Sequence, residues 1–249
     1  MSWVLLRGLT REARHWGALP EQLAALPGTG QVVTLDLPGN GVFHRQASPA
    51  SVRGIMEFAR RQLQAQGVAP PWHLLAMSLG GMVATDWAQQ HPQEVSRLVL
   101  INTSMRPFSP VTERLRPGNW LTLALLAARW HNADSTERTI HRLTCNNTSS
   151  RAADIAAWVH IRQTAPVSPA NAWRQLLAAA QFSSGPQAPT CPTLVLSSSA
   201  DRLVNPRCSH RVADAWQAAH HSHPWAGHDL PHDDAGWVCQ RIGHWLSGS

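Results

Sequence analysis

Leu74-Leu75-Ala76-Met77-Ser78-Leu79-Gly80-Gly81-Met82 closes an apolar run and opens a helix-like segment, with a serine at the turn between them. A backbone that passes so abruptly from strand to helix has room only for small residues two positions either side of the serine. Ala76 and Gly80 stand there. The hydroxyl then projects at a helix N-terminus, where the helix dipole and the Leu79 amide favour developing negative charge. Taken alone, Ser78 also admits the lesser reading of an ordinary helix cap. The rest of the chain has to decide.

Working outward, short runs rich in Val, Leu and Ile recur at residues 3–6, 31–36, 72–77, 97–102, 193–198 and, more weakly, 220–225. Near-continuous apolar runs without period-two alternation mark strands buried on both faces of a parallel sheet. Helix-length amphipathic segments separate them at residues 12–26, 49–66, 79–91, 206–219 and 233–246. This alternation predicts an α/β fold with a mostly parallel sheet of about six strands and flanking helices. One interval breaks the rhythm. Residues 103–192 hold no strand-like run but four helical stretches, at 120–131, 135–145, 151–164 and 169–182. A crossover needs only about a dozen residues, so residues 104–186 are expected to form a helical lid between the fourth and fifth strands. Residues 1–103 and 187–249 are expected to form the core.

Two further loops fall where such a sheet gathers its chemistry, at the carboxyl ends of its strands. Asp201 lies in Ser197-Ser198-Ser199-Ala200-Asp201-Arg202, after the fifth run. His228 lies in Pro224-Trp225-Ala226-Gly227-His228-Asp229, after the sixth. A serine nucleophile needs a base to take its proton and an acid to orient that base. Ser78, Asp201 and His228 occur in the chain order of one known form of that arrangement.

Composition narrows the class. The chain has 249 residues and a formal net charge of +6, and all 21 of its basic residues are Arg. They are scattered rather than clustered, so no nucleic-acid partner is expected. The four cysteines form no C-x-x-C pair and read as free thiols. No apolar stretch approaches the ~20 residues of a membrane span. The start, MSWVLLRGLT, lacks the pattern of a secretion signal, and a cytoplasmic location is expected.

With these motifs in place, the chain resembles the α/β-hydrolase superfamily, in particular small lidded carboxylesterases that act on carrier-bound acyl esters, and related lyases. Asp36-Leu37-Pro38-Gly39-Asn40-Gly41 also resembles the family's loop after the second run, with Asn40 where His is more usual. The resemblance implies Ser78 as nucleophile, His228 as base and Asp201 as acid. It also implies the Leu9 and Leu79 backbone amides as oxyanion donors, a small apolar acyl ester as substrate and no cofactor. Thioester, lactone and lyase chemistry on the same triad, or a slow-turnover small-molecule sensor, are the alternatives. Arg7 departs from the pattern, standing where His usually precedes the glycine. It either binds a substrate carboxylate or pairs with an internal acid, and the second is the stronger expectation.

Rival readings are weaker. Five histidines lie between His220 and His232, and His221 and His223 would share a strand face. No Cys or carboxylate stands at a recognised ligand spacing from them, so no metal is expected. Asp229 adjoins the base and should point elsewhere, while Asp233 and Asp234 are placed to start the last helix. Trp120, Trp130, Trp158 and Trp173 either fill the lid's own interior or wall an apolar pocket over Ser78. The N-x-S/T triplets at Asn102, Asn146 and Asn147 carry no meaning for a cytoplasmic chain.

Overall fold

The computed structural model describes residues 1–248. Six parallel strands form one sheet: β1 Ser2–Leu6, β2 Val32–Leu35, β3 Trp72–Met77, β4 Val95–Ile101, β5 Thr193–Ser198 and β6 Ala219–His223. Their spatial order is β2-β1-β3-β4-β5-β6. Eleven α-helices accompany them: α1 Leu19–Ala24, α2 Val52–Ala65, α3 Leu79–Gln90, α4 Val111–Arg114, α5 Trp120–Ala128, α6 Ala133–Thr144, α7 Arg151–Thr164, α8 Pro169–Gln181, α9 Arg207–Trp216, α10 Leu230–Asp233 and α11 Ala235–Ser247.

The pleat explains why the strands read as unbroken apolar runs. Val4, Leu6, Leu74, Ala76, Leu98, Leu100 and Val195 face a core shared with α2, α3 and α9. Their neighbours Trp3, Leu5, Leu75, Met77, Val99, Ile101, Leu194 and Leu196 face a second core shared with α1 and α11. Alternate residues bury on opposite faces. Strand β6 gave the weakest signal because it is an edge strand, with Ala219 and His221 exposed.

The segment expected as one helix over 12–26 is broken. A short 3-10 turn, Ala13–Trp16, ends at Gly17, whose φ of +56° suits glycine, and α1 restarts beyond it with Pro20 in its first turn. Asp234 caps α11 by accepting the Trp237 N–H, as expected of a carboxylate there. Asp233 instead ends α10, and its carboxylate accepts N–H groups from Gly227, Asn146 and Asn147.

Helices α4–α8 lie in sequence between β4 and β5 and carry a small core of their own around Cys145, Trp158 and Ile161. Paired hydrogen bonds fasten them to the sheet's carboxyl edge. Gln175 on α8 donates to Asn40 Oδ1 (2.9 Å) and accepts the Thr10 N–H (2.9 Å). Glu137 on α6 takes Arg11 and Arg162, each at 2.7 Å. Among the described residues, no helix is long and apolar enough to cross a membrane.

Candidate active site

Because all six strands are parallel, their carboxyl ends share one edge, and the loops after β1, β3, β5 and β6 meet there. Ser78 sits between β3 and α3 at φ +53°, ψ −118°, and its side chain makes no cap hydrogen bond. The helix-cap reading is therefore not what this serine does. The sequence rationale for its small neighbours holds at Gly80. A Cβ there would lie 2.3 Å from the Leu6 carbonyl oxygen and 2.6 Å from that of Arg7. Any side chain would push β1 off the turn. On the other flank, a Cβ on Gly8 would come within 3.1 Å of Ser78 Cβ.

His228 and Asp201 are buried, and His228 Nδ1 lies 2.7 Å from Asp201 Oδ2. The other carboxylate oxygen accepts the N–H groups of Leu203 (2.8 Å) and Val204 (2.9 Å), which fixes its aim. Burial of the imidazole works against its cation. The charge and hydrogen bond of Asp201, together with the charge of Asp229, outweigh that burial and hold the His228 pKa above its ordinary value. Ser78 and His228 line one cavity, although no hydrogen bond joins their side chains among the described residues. Such contacts are often loose until substrate arrives.

Leu9 also lines this cavity, and Leu79 lines a neighbouring one that Ser78 and Leu9 share. Leu79 opens α3, where an N–H has no helical acceptor. Leu9 lies on a turn whose next residue, Thr10, is held at φ +57° with its N–H on Gln175.

Two connected lobes meet at Ser78. A lobe of about 130 Å³ reaches Arg7, Arg11, His228 and Asp229. A larger one of about 320 Å³ runs between α5 and α8 along Met82, Leu126, Trp130, Leu176 and Ala179. Of the four tryptophans in the inserted helices, Trp130 and Trp173 line the larger lobe. Trp158 fills the segment's own core, and Trp120 is half exposed.

Arg7 takes the internal role. It forms a two-pronged pair with Asp229, at 3.0 Å and 2.5 Å, and its guanidinium lies 4.7 Å over the Trp16 ring. Asp229 is thus held by Arg7, and among the described residues it makes no hydrogen bond to the His228 ring.

Sequence reasoning missed Asn102. At φ +45° this residue donates to Ser198 Oγ (3.0 Å) and the His228 carbonyl (2.8 Å), and accepts the Ser198 N–H (2.9 Å). It ties the His228 loop to β5. A polar residue at the carboxyl end of a central strand was the available signal. His221 and His223 do not converge on a ligand set. His223 instead accepts the Ala226 N–H and lies 3.3 Å from Asp234.

A family model described as alpha/beta hydrolase fold matches residues 4–235. A pimeloyl-[acyl-carrier protein] methyl ester esterase of Chromobacterium violaceum is 36% identical over 103 residues, which is 41% of this chain and 37% of that protein. The chain thus aligns with little more than a third of that esterase's length. A Klebsiella pneumoniae protein carrying the provisional name carbamate hydrolase RutD is 30% identical over 253 aligned positions, 93% of this chain and 86% of that one. Among solved structures, a thermophilic esterase from Thermogutta terrifontis superposes with a TM-score of 0.75 at 23% identity, covering 100% of this chain and 90% of the other.

Proposed function

The chain belongs to the α/β-hydrolase family, and from that premise we propose that it is a serine hydrolase that cleaves carboxylic esters with an apolar acyl chain. The observation that carries this reading is a strained, uncapped Ser78 opening onto the same cavity as a buried His228 that Asp201 holds at 2.7 Å. His228 Nε2 takes the hydroxyl proton as Ser78 Oγ attacks the ester carbonyl, while Asp201 stabilises the imidazolium. The Leu9 and Leu79 amides receive the oxyanion. The tetrahedral intermediate collapses as His228 protonates the departing alcohol. Water, deprotonated by the same ring, then releases the acyl group as a carboxylic acid and regenerates Ser78.

The larger lobe suits the acyl chain and the smaller one a short alcohol. Residues 104–186 serve as the lid that walls both. The fastening of α6 and α8 to Arg11, Asn40 and Thr10 supports this division, because it sets the lid against the oxyanion turn. The test is turnover of a neutral p-nitrophenyl ester by Ser78→Ala. Loss of activity with an unchanged circular dichroism spectrum is the expected result, and activity within a few-fold of wild type rejects the reading.

Carbamate cleavage is a second reading, favoured by the relative matched over 93% of this chain. It uses the same residues, and a carbamate matched in length to the best ester separates the two.

A further inference from the structure

His141 lies in the last turn of α6, Cys145 is the extended residue that caps that helix, and α10 brings His232 to them. Each offers a ligand atom, and the three atoms lie within 4.8 Å of one another. Asp154 on α7 joins them, its Oδ2 lying 3.2 Å from His232 Nε2 and 3.5 Å from His141 Nε2. These are buried or nearly buried side chains, so they are not an exposed acidic patch that merely happens to be crowded.

Two observations single this cluster out as a ligand set. His141 is 1% exposed, yet its buried Nε2 makes no well-formed hydrogen bond, the 3.5 Å approach of Asp154 Oδ2 being long for one. Such atoms are uncommon and call for an explanation. Asp154 is paired with no guanidinium among the described residues. Its charged partners are two imidazoles, and the remaining contact is the Ser150 hydroxyl.

We propose that His141, Cys145 and His232, completed by Asp154, form a site for a thiophilic divalent cation such as Zn²⁺, pinning the inserted helices to the loop that carries His228. Two nitrogens, one thiolate and one carboxylate oxygen suit tetrahedral zinc. Bond lengths of about 2.0–2.3 Å place such ligands about 3.3–3.6 Å apart. Closing the observed spread therefore needs shifts of about 1 Å, which side-chain rotation supplies. His232 lies four residues beyond His228, and the other three ligands belong to α6, its C-terminal cap and α7. The cation would couple the position of the lid to the position of the base without touching the reacting atoms. The cysteine gives up its proton on binding. The sheet and the Ser78 turn need no cation, so this inference stands or falls separately from the esterase reading.

The test is Co²⁺ titration of the chelator-treated, thiol-reduced full chain, read by absorbance. The expected result is a near-ultraviolet thiolate charge-transfer band with tetrahedral visible bands, saturating at one equivalent and bleached by Zn²⁺. Cys145→Ser should remove the charge-transfer band, while Cys191→Ser should keep it. His232→Gln should weaken Co²⁺ binding by at least about tenfold, the scale of lost metal-site support. Absence of the band from the wild-type chain at one equivalent overturns the proposal, and so does its persistence in Cys145→Ser. Should Cys145→Ser not fold, wild-type affinity unchanged in His232→Gln overturns it equally.

Discussion

Arg7 and Asp229 form a buried two-pronged ion pair immediately beside the His228 backbone, joining the end of β1 to the loop after β6. Burial alone would raise the Asp229 carboxyl, but the Arg7 guanidinium holds it below the ordinary carboxylate range. The pair ties the turn after β1 to the loop that carries His228.

Arg7→Met strands a buried carboxylate. Breaking such a pair costs about 3–5 kcal/mol, on the order of 10 °C in Tm for a chain of this size. Differential scanning calorimetry should show that loss, and neutral and acidic esters should slow alike. Selective loss on acidic esters at an unchanged Tm would give the guanidinium to the substrate instead. Because the folded Asp229 titrates low, the pair's contribution is present above the unfolded-state pKa of about 4 and disappears as pH falls through the lower folded value.

As the proposed base, His228 should give the rate a pH dependence of the opposite sign. Its folded pKa lies above the ordinary value of about 6.5, so its stabilising charge is present below that value and is lost as pH rises through the folded pKa. Only the neutral ring accepts the Ser78 proton. kcat/KM should therefore rise with pH through an inflection above about 6.5. Asp201→Asn should lower kcat by ~10⁴ through the wrong tautomer, and the residual activity should inflect at lower pH. An unshifted profile at full rate would remove Asp201 from the mechanism.

Asn102 separates positioning from backbone tolerance. Asn102→Gly keeps a residue at ease at φ +45° and deletes the bridge to Ser198 and the His228 carbonyl. It should reduce kcat several-fold with KM nearly unchanged. Asn102→Ala should behave similarly in kcat but be less stable by a further ~1 kcal/mol of backbone strain. Chemical denaturation and initial rates check both parts.

The placing of Ser78, Asp201 and His228 at one edge of the sheet is legible because each needs only a local pattern: an apolar run, then a turn residue of the right type, in an order set by topology. What stayed hidden depends on pairings between distant segments. Arg7 and Asp229 are 222 residues apart, so the sequence left two roles open for the arginine. His232 reads as one histidine among five until α10 sets it against His141 and Cys145. Asp233 looks like a helix start, but three loop amides converge on it. Gly17 and Pro20 break the first helix because a backbone at φ +56° cannot continue it, a local signal outweighed by the apolar spacing.

The larger lobe predicts chain-length selectivity. Each methylene buried contributes about 0.8 kcal/mol, so kcat/KM for neutral esters should rise about fourfold per carbon until the lobe is full. Ala179→Phe, which intrudes on that lobe, should bring the plateau forward while sparing acetyl esters. A flat acyl series in the wild-type chain would place the acyl group elsewhere.

The central claim is that Ser78 is a nucleophile activated by His228. Incubation with a fluorophosphonate, followed by tryptic mass spectrometry, tests it most directly. The account requires one adduct per chain, located on Ser78, forming at a rate that rises with pH along the same limb as ester turnover. No adduct, or an adduct on any other residue with ester turnover left intact, would contradict it.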